Sequence, residues 1–291
     1  QLVKTAIPIG LAAIVMSISS SIDTTIIQRV LYNMALTDRE ALLAQFDGHL
    51  DSYIPLHPTK SNPITIHTYL MGAFSCALTV MQLITAVTQV FGTSAMPSVT
   101  DAYTKGDKKE LKRSIETVLK LTMLITLPAG IGMFVLPYEI ISLLYSGYVA
   151  EVAAGVMRVM GLSVIVVAIS TPICSMLQGV GRVDLPLKLY SIAMVIKLAT
   201  NYFFVSIVSI NIVGGAVGSL VSFTFVCIVG MYFLIKKSQV VPDFLNTTIK
   251  PLFGAVMCGA AAYVSYQLIS TVLSGTVVST IASVVTLKPF F

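Results

Sequence analysis

The chain has 291 residues, of which 56% are hydrophobic and only 11% are charged, and its net charge is +5. Soluble domains contain about 25% charged residues, so the composition excludes an ordinary soluble protein and indicates an integral membrane protein. The basic residues stand in short segments between apolar runs, which argues against a nucleic-acid-binding surface and for a membrane topology.

Seven apolar stretches are long enough to cross a bilayer as helices. They are Thr5–Arg29, Thr68–Gly92, Val118–Ile141, Val152–Leu177, Lys188–Val208, Val213–Ile235 and Pro251–Leu273. Another stretch, Thr276–Leu287, is too short to cross alone, and we predict it as an eighth span that lies shallow or is cut short. The sequence therefore predicts an all-α, polytopic transmembrane bundle of about seven to eight spans.

Lys and Arg are enriched in cytoplasmic loops, and this bias predicts the orientation of the spans. With a cytoplasmic N-terminus, the inner loops hold most of the basic residues, including the cluster Lys105–Arg113, whereas the outer segments hold Arg39 and Lys60. We therefore predict a multi-pass protein of a bacterial cytoplasmic membrane with its N-terminus on the cytoplasmic side. The segment Tyr32–His67 is then an extracytoplasmic insertion.

The first span carries a polar stripe on one helical face. Ser20, Thr24 and Gln28 follow one another at intervals of four residues, and Arg29 lies beside them. A lipid-facing helix would not carry such a stripe, so we expect it to face protein or a water-filled cavity. Asp23 lies at the edge of the stripe, where it would carry a coupling proton or ion, or would form a structural ion pair.

The second span repeats this pattern. Its polar face includes Thr79, Gln82 and Gln89 on an otherwise apolar helix. Small polar groups also join ordinary transmembrane helices, so a helix–helix seam is the alternative interpretation. Two glutamines on one stripe exceed what a seam requires, and we predict that they line a cavity.

The segment between the second and third spans contains Gly106-Asp107, a typical turn and helix cap. It precedes Lys108–Glu116, an amphipathic basic helix that either contacts anionic headgroups or anchors the topology. In the third span, Pro128, Gly130 and Gly132 loosen the helical hydrogen-bond ladder. We predict a kink or hinge there.

The fifth span contains Lys197 near its middle and Asn201 one turn later on the same face. A charge at that depth normally faces the interior of a bundle or water, so we predict both residues in the cavity, with Arg158 as a further cation. Gly214 and Gly218 form a G-x-x-x-G pattern, which indicates close packing within the bundle rather than dimerisation.

Together these motifs resemble the multidrug/oligosaccharidyl-lipid/polysaccharide exporter superfamily. The resemblance is strongest to its polysaccharide-exporter branch of stage V sporulation protein B-like proteins, which is related to the lipid II flippases. The matching stretches span Leu2–Ile235 and are Ala6–Gly10, Ser21–Asp23, Met96–Val99, Lys105–Asp107, Leu127–Gly132, Leu177–Arg182, Pro186, and Lys197 with Asn201.

The resemblance implies a two-lobed transporter shaped like an inverted V, whose lobes are related by a pseudo-two-fold axis. A central cavity between the lobes would open alternately to each side of the membrane. Residues 1–235 match the six-helix C-terminal lobe, with 32–67 as an insertion. Residues 236–291 would be additional C-terminal helices that are truncated. The expected partners are the missing N-terminal lobe of the same protein, membrane lipids and a lipid-linked glycan substrate.

We therefore expect a flippase that moves a lipid-linked oligosaccharide or polysaccharide precursor. Arg29, Lys197 and Arg158 would be the cations for its phosphates. A cation-coupled multidrug antiporter of the same superfamily is the alternative. A non-transporting scaffold that has kept the fold is a third interpretation, and the two polar stripes argue against it. A glycosyltransferase or acyltransferase is disfavoured because the sequence contains no D-x-D motif, His–Asp pair or Cys/His cluster. We thus expect that the chain is not an enzyme, that it has no catalytic residues, and that it binds no cofactor, metal or nucleic acid.

Overall fold

The computed structural model describes residues 2–45, 65–145 and 148–285. These residues form nine α-helices and one π-helical turn, without a β-strand among them. The all-α architecture expected from the sequence is thereby confirmed. In chain order the elements are α1 (Leu2–Thr37), α2 (Arg39–Gln45), α3 (Ile66–Lys105), α4 (Lys108–Val135), α5 (Pro137–Leu144), α6 (Tyr148–Gly179), α7 (Asp184–Val205), α8 (Val213–Ser238), the π-helical turn (Leu245–Ile249) and α9 (Lys250–Val285).

Five segments of the described chain are long and apolar enough to cross a membrane. They are Ile66–Lys105, Lys108–Val135, Val149–Gly179, Val213–Ser238 and Leu245–Ile269. The 22 residues of α7 would also reach across a hydrocarbon core, but this helix carries the polar side chains Lys188, Lys197 and Asn201. One side of α7 packs against α1 and α8, whereas its large apolar side chains Val195, Tyr202 and Phe203 are exposed.

Helix α6 is the centre of the bundle. It packs most closely against α3, α8 and α4, and it also contacts α5 and α7. Its fully buried methionines, Met157, Met160 and Met176, belong to the two apolar clusters that make up the core. Because α6 is surrounded by protein, it positions the polar faces of its neighbours.

Helix α1 extends beyond its predicted span. It continues from Arg29 to Thr37. Its residues Leu31, Met34 and Ala35 are buried against the bundle, and this packing stabilises the additional helical turns. The described part of the insertion is therefore helical at its start, and α2 is the short helix that follows. Residues 46–64 of the insertion lie outside the described residues.

The predicted third span is divided in two. Helix α4 ends at Val135, and Pro137 begins the separate short helix α5. Proline lacks an amide hydrogen and fits the first position of a helix, which explains why the chain restarts there. The span predicted as Val118–Ile141 is wrong in its last six residues.

The turn between α3 and α4 follows the prediction. Gly106 ends α3 with φ 73°, a conformation that glycine adopts without steric cost. The Asp107 carboxylate accepts hydrogen bonds from the backbone N–H groups of Lys109 and Glu110, at 2.9 and 3.0 Å. The predicted helix cap is confirmed, and α4 runs without interruption from the basic segment into the apolar span.

The C-terminal region differs from its prediction. A single helix, α9, extends from Lys250 to Val285, so residues 276–285 continue it and do not form an eighth span. A hydropathy window divides a long apolar stretch by length, whereas the backbone continues a helix as long as no residue interrupts its hydrogen bonds. Helix α9 packs against α4 and the π-helical turn, at the edge of the bundle.

Candidate substrate cavity

A cavity of about 220 Å³ lies among α1, α3, α6, α7 and α8. Helix α7 contacts both α1 and α8, and α6 contributes Val167 to the lining. Its lining combines apolar and hydrogen-bonding side chains, and the lining residues are Thr24, Phe74, Leu78, Met81, Gln82, Thr85, Val167, Tyr190, Ala193, Met194, Lys197, Ser219, Ser222 and Phe223.

Three residues that the sequence singled out meet in this cavity. Thr24 comes from the stripe on α1, Gln82 from the stripe on α3, and Lys197 from the middle of α7. Thr24 and Gln82 are exposed, whereas Lys197 is half-buried. The polar stripes of α1 and α3 therefore each contribute one residue to the lining of a single cavity, which also contains the mid-helix Lys197 of α7.

Helix α8 supplies two hydroxyls that the sequence analysis missed, Ser219 and Ser222. Two hydrogen bonds fix α8 against α6 on either side of them. Ser163 Oγ donates to the Ala216 carbonyl and Cys227 Sγ donates to the Val166 carbonyl, each at 3.0 Å. The i, i+3 spacing of the two serines, just after a glycine pair that indicates close packing, is the sequence signal that would have found them.

Most cavity hydroxyls already donate to their own helices. Ser219 donates to the Gly215 carbonyl at 3.2 Å, Ser222 to that of Ser219 at 3.1 Å, and Thr85 to that of Gln82 at 3.0 Å. Such bonds are the usual solution for a hydroxyl in an apolar helix. The lining also contains the Lys197 ammonium and the Gln82 side-chain amide, two nitrogen donors of the kind that binds an anionic ligand.

The described lining is cationic and aromatic. Lys197 is its one charged residue, and Phe74, Tyr190 and Phe223 add aromatic rings. Across the described residues, there is also no group of three or more His, Cys, Asp or Glu side chains that could hold a metal ion. This lining suits a ligand with a negatively charged part and an apolar or ring-shaped part.

Other residues predicted to line the cavity lie elsewhere. Exposed side chains outside its lining are Gln28, Arg29, Thr79, Gln89 and Arg158. Asn201 is fully buried and lies against Gly218 at the crossing of α7 and α8. The side chains of Ser20 and Asp23 lie outside the described part of the structure. Periodicity alone could not separate stripe residues at the cavity from those beyond it.

The predicted hinge residues lie in α4, away from the cavity. The helix is continuous through Pro128, Gly130 and Gly132. Gly130 meets Gly161 of α6 so closely that a Cβ on Gly130 would lie 2.5 Å from the Gly161 carbonyl oxygen, whereas a Cβ on Gly132 would meet nothing within 4 Å. Gly130 thus has a packing role, and the hinge stays a prediction.

Residues 65–203 match the MatE protein family, which is just under half of the chain. The fold is similar to a crystal structure of a MATE point mutant, with a TM-score of 0.56 and 16% identity over 91% of this chain and 54% of that one. It is also similar to a MOP superfamily transporter from Pyrococcus furiosus, with a TM-score of 0.51 and 14% identity over 92% of this chain and 53% of that one. No curated protein matches the sequence.

The chain thus spans about half the length of these solved structures, and its fold is similar to that of the part it covers. The partial family match and the shared fold agree with the superfamily that the sequence motifs indicate. The bundle of apolar helices agrees with a multi-pass membrane protein.

Proposed function

We propose that this chain forms one lobe of a membrane transporter of the MOP superfamily that flips a lipid-linked oligosaccharide or polysaccharide precursor across a bacterial cytoplasmic membrane by alternating access. The observation that supports this substrate class is the presence of both Lys197 and Gln82 in a cavity whose described lining contains no carboxylate. A lipid-linked glycan carries an anionic pyrophosphate, and a cavity that offers a lysine and a side-chain amide is suited to bind it.

The cavity is small for such a substrate. Its volume of about 220 Å³ is below the roughly 300–1,000 Å³ typical of small-molecule sites. In the proposal it holds the phosphates and the first sugar, the isoprenoid tail stays in lipid, and the second lobe completes the site. The exposed polar stripes of α1 and α3 would then line the hydrated path between the lobes.

A cation-coupled multidrug antiporter is the second candidate. The comparisons fit it equally, and the aromatic rings of Phe74, Tyr190 and Phe223 would suit a flat, apolar drug. In that case Asp23, at the edge of the α1 stripe, would carry the coupling ion. The two candidates differ in the charge of the transported molecule, and this makes them separable by experiment.

The test uses the full-length protein in cells that depend on it. If the proposal is correct, Lys197→Gln abolishes delivery of the lipid-linked glycan to the outer face while drug accumulation stays unchanged. Arg158→Gln, which removes an exposed cation outside the cavity, is the matched control and should leave delivery intact. Increased accumulation of cationic drugs with normal glycan delivery would overturn the flippase proposal in favour of the antiporter.

A further inference from the structure

A second cleft, unrelated to the substrate cavity, lies where α8 ends beside the start of α4. Its volume is about 420 Å³. Its lining includes three lysines together with small, apolar and uncharged polar residues, and we call it the lysine cleft. The lining residues are Ala102, Tyr103, Gly106, Lys108, Leu111, Lys236, Lys237, Ser238 and Gln239.

All charged side chains that line the lysine cleft are positive. Lys108, Lys236 and Lys237 are exposed, and its lining includes no carboxylate. Among the nearby acids, Asp107 caps α4, Asp101 pairs with Lys105, and Glu110 lines a different cleft together with Arg113. Three ammonium groups in one concave site attract an anion more strongly than the same charges spread over a surface.

The cleft is held in shape across the bundle. Lys108 Nζ donates a 3.0 Å hydrogen bond to Gln239 Oε1, which joins the start of α4 to the end of α8. Gln239 adopts φ 54° and ends α8 by donating its N–H to the Ile235 carbonyl. Ser238, beside it, is buried and bonded to Val240. A binding site fixed in this way loses little conformational entropy when a ligand enters.

An apolar track leads to the cleft along α8. Ile228, Tyr232 and Lys236 follow one another at intervals of four on one helical face. Ile228 and Tyr232 are 65% and 57% exposed, and Lys236 Nζ lies 5.7 Å from the centre of the Tyr232 ring. An exposed aliphatic side chain, an aromatic ring and a cation in this order match the chain, the glycerol region and the headgroup of a phospholipid.

We infer that the lysine cleft binds the phosphate of an anionic membrane phospholipid, with its acyl chains along Ile228 and Tyr232. Lys236 and Lys237 contact the phosphate from α8, and Lys108 contacts it from α4. Basic pockets between transmembrane helices are known to bind such headgroups. The bound lipid would bridge α4 and α8 at a point where one side-chain hydrogen bond joins them, independently of any transported substrate.

The test measures lipid binding to the purified full chain by native mass spectrometry, with phosphatidylglycerol compared with phosphatidylcholine. Lys236→Gln/Lys237→Gln should weaken phosphatidylglycerol binding about twenty-five-fold, since each basic side chain near an anionic headgroup contributes roughly a factor of five. Phosphatidylcholine binding should change little. The charge-preserving Lys236→Arg/Lys237→Arg variant should retain most of the affinity, and circular dichroism verifies that each variant is folded.

Lys109→Gln/Lys188→Gln is the matched control, because it removes two exposed lysines outside the cleft and changes the net charge equally. An equal loss in this control would overturn the inference, since the effect would then be general surface charge. Equal affinity of the wild-type chain for the two lipids would also overturn it. Displacement of the lipid by equimolar glycerol 3-phosphate would assign the cleft to a soluble phosphate and overturn the lipid assignment.

Discussion

Asn201 and Gly218 meet at the crossing of α7 and α8, where the side-chain oxygen of Asn201 occupies the space in which a Cβ on Gly218 would lie. Asn201 is fully buried there. Gly214, one turn earlier, also lies close to α7, since its Cβ would be 2.6 Å from the Val205 nitrogen. The predicted packing role of the glycine pair within the bundle is confirmed, and the contact fixes α7, which carries Lys197.

Gly218→Ala should therefore destabilise the bundle. The added methyl group displaces Asn201, and overpacking of this kind costs about 1–3 kcal/mol of unfolding free energy. Thermal unfolding of the full chain in detergent measures the loss. Gly155→Ala is the control, since nothing lies within 4 Å of its Cβ position and the same substitution there should be neutral or slightly stabilising. Equal stability of the two variants would contradict the close contact.

Gly130 and Gly132 of α4 allow a role in helix packing to be distinguished from a role in helix bending. Gly130→Ala places its Cβ 2.5 Å from the Gly161 carbonyl oxygen and should lower the stability by about 1–3 kcal/mol. Gly132→Ala places its Cβ in open space and should leave stability unchanged or raised. The hinge prediction adds that Gly132→Ala slows transport by the full-length protein although it unfolds normally. Normal transport by that variant would remove Gly132 from the hinge.

The cavity predicts a graded effect of substitutions at its lysine. Lys197→Gln should abolish transport because it removes the charge, and Lys197→Arg should retain a part because an arginine also binds phosphate. Gln82→Leu should reduce transport less, since it removes one amide and no charge. Thr117→Val, which changes an exposed hydroxyl of α4 outside the cavity lining and outside both polar stripes, is the control. If Thr117→Val and Gln82→Leu had equal effects, the cavity would not define the site. Transport rates at equal membrane abundance provide the comparison.

The start of α7 should make stability depend on pH. Arg182 donates hydrogen bonds of 3.1 and 3.3 Å to the Asp184 carboxylate, and Lys188 donates a third of 3.3 Å. These bonds, with that of Arg182 the largest cause, lower the pKa of Asp184 below its usual value. Because the pKa of Asp184 is lower in the folded state than in the unfolded state, its ionised carboxylate stabilises the fold at pH values above the unfolded-state pKa. This stabilisation is lost as the pH falls through the folded-state pKa.

Asp184→Asn should accordingly cause a small loss of thermal stability at neutral pH that disappears in acid. The loss is small because both partners are partly exposed to water. Arg182→Gln should cause a similar loss, and the double variant should lose less than the sum. Melting temperatures between pH 7 and pH 3 test this. A loss from Asp184→Asn that persists unchanged in acid would show that the ion pair is not its cause.

Local features of the fold could be predicted from the sequence. The cap at Asp107 and the turn at Gly106 depend on a few neighbouring residues, and both were correct. The end of α4 was misplaced because hydropathy continues through Leu136, whereas Pro137 starts another helix. The predicted eighth span was wrong for a related reason, because an apolar pattern gives the length of a stretch but not the point at which a helix ends.

The sequence by itself determined that the chain is a helical membrane protein, that α1 and α3 carry polar faces, and that Lys197 lies deep in a helix. Helical periodicity within one segment contains this information. Only the tertiary structure decided that Thr24, Gln82 and Lys197 share a cavity with Ser219 and Ser222, and that Asn201 lies at a helix crossing instead. The physical reason is that these arrangements depend on how α6 packs its neighbours, and that packing joins residues far apart in the chain.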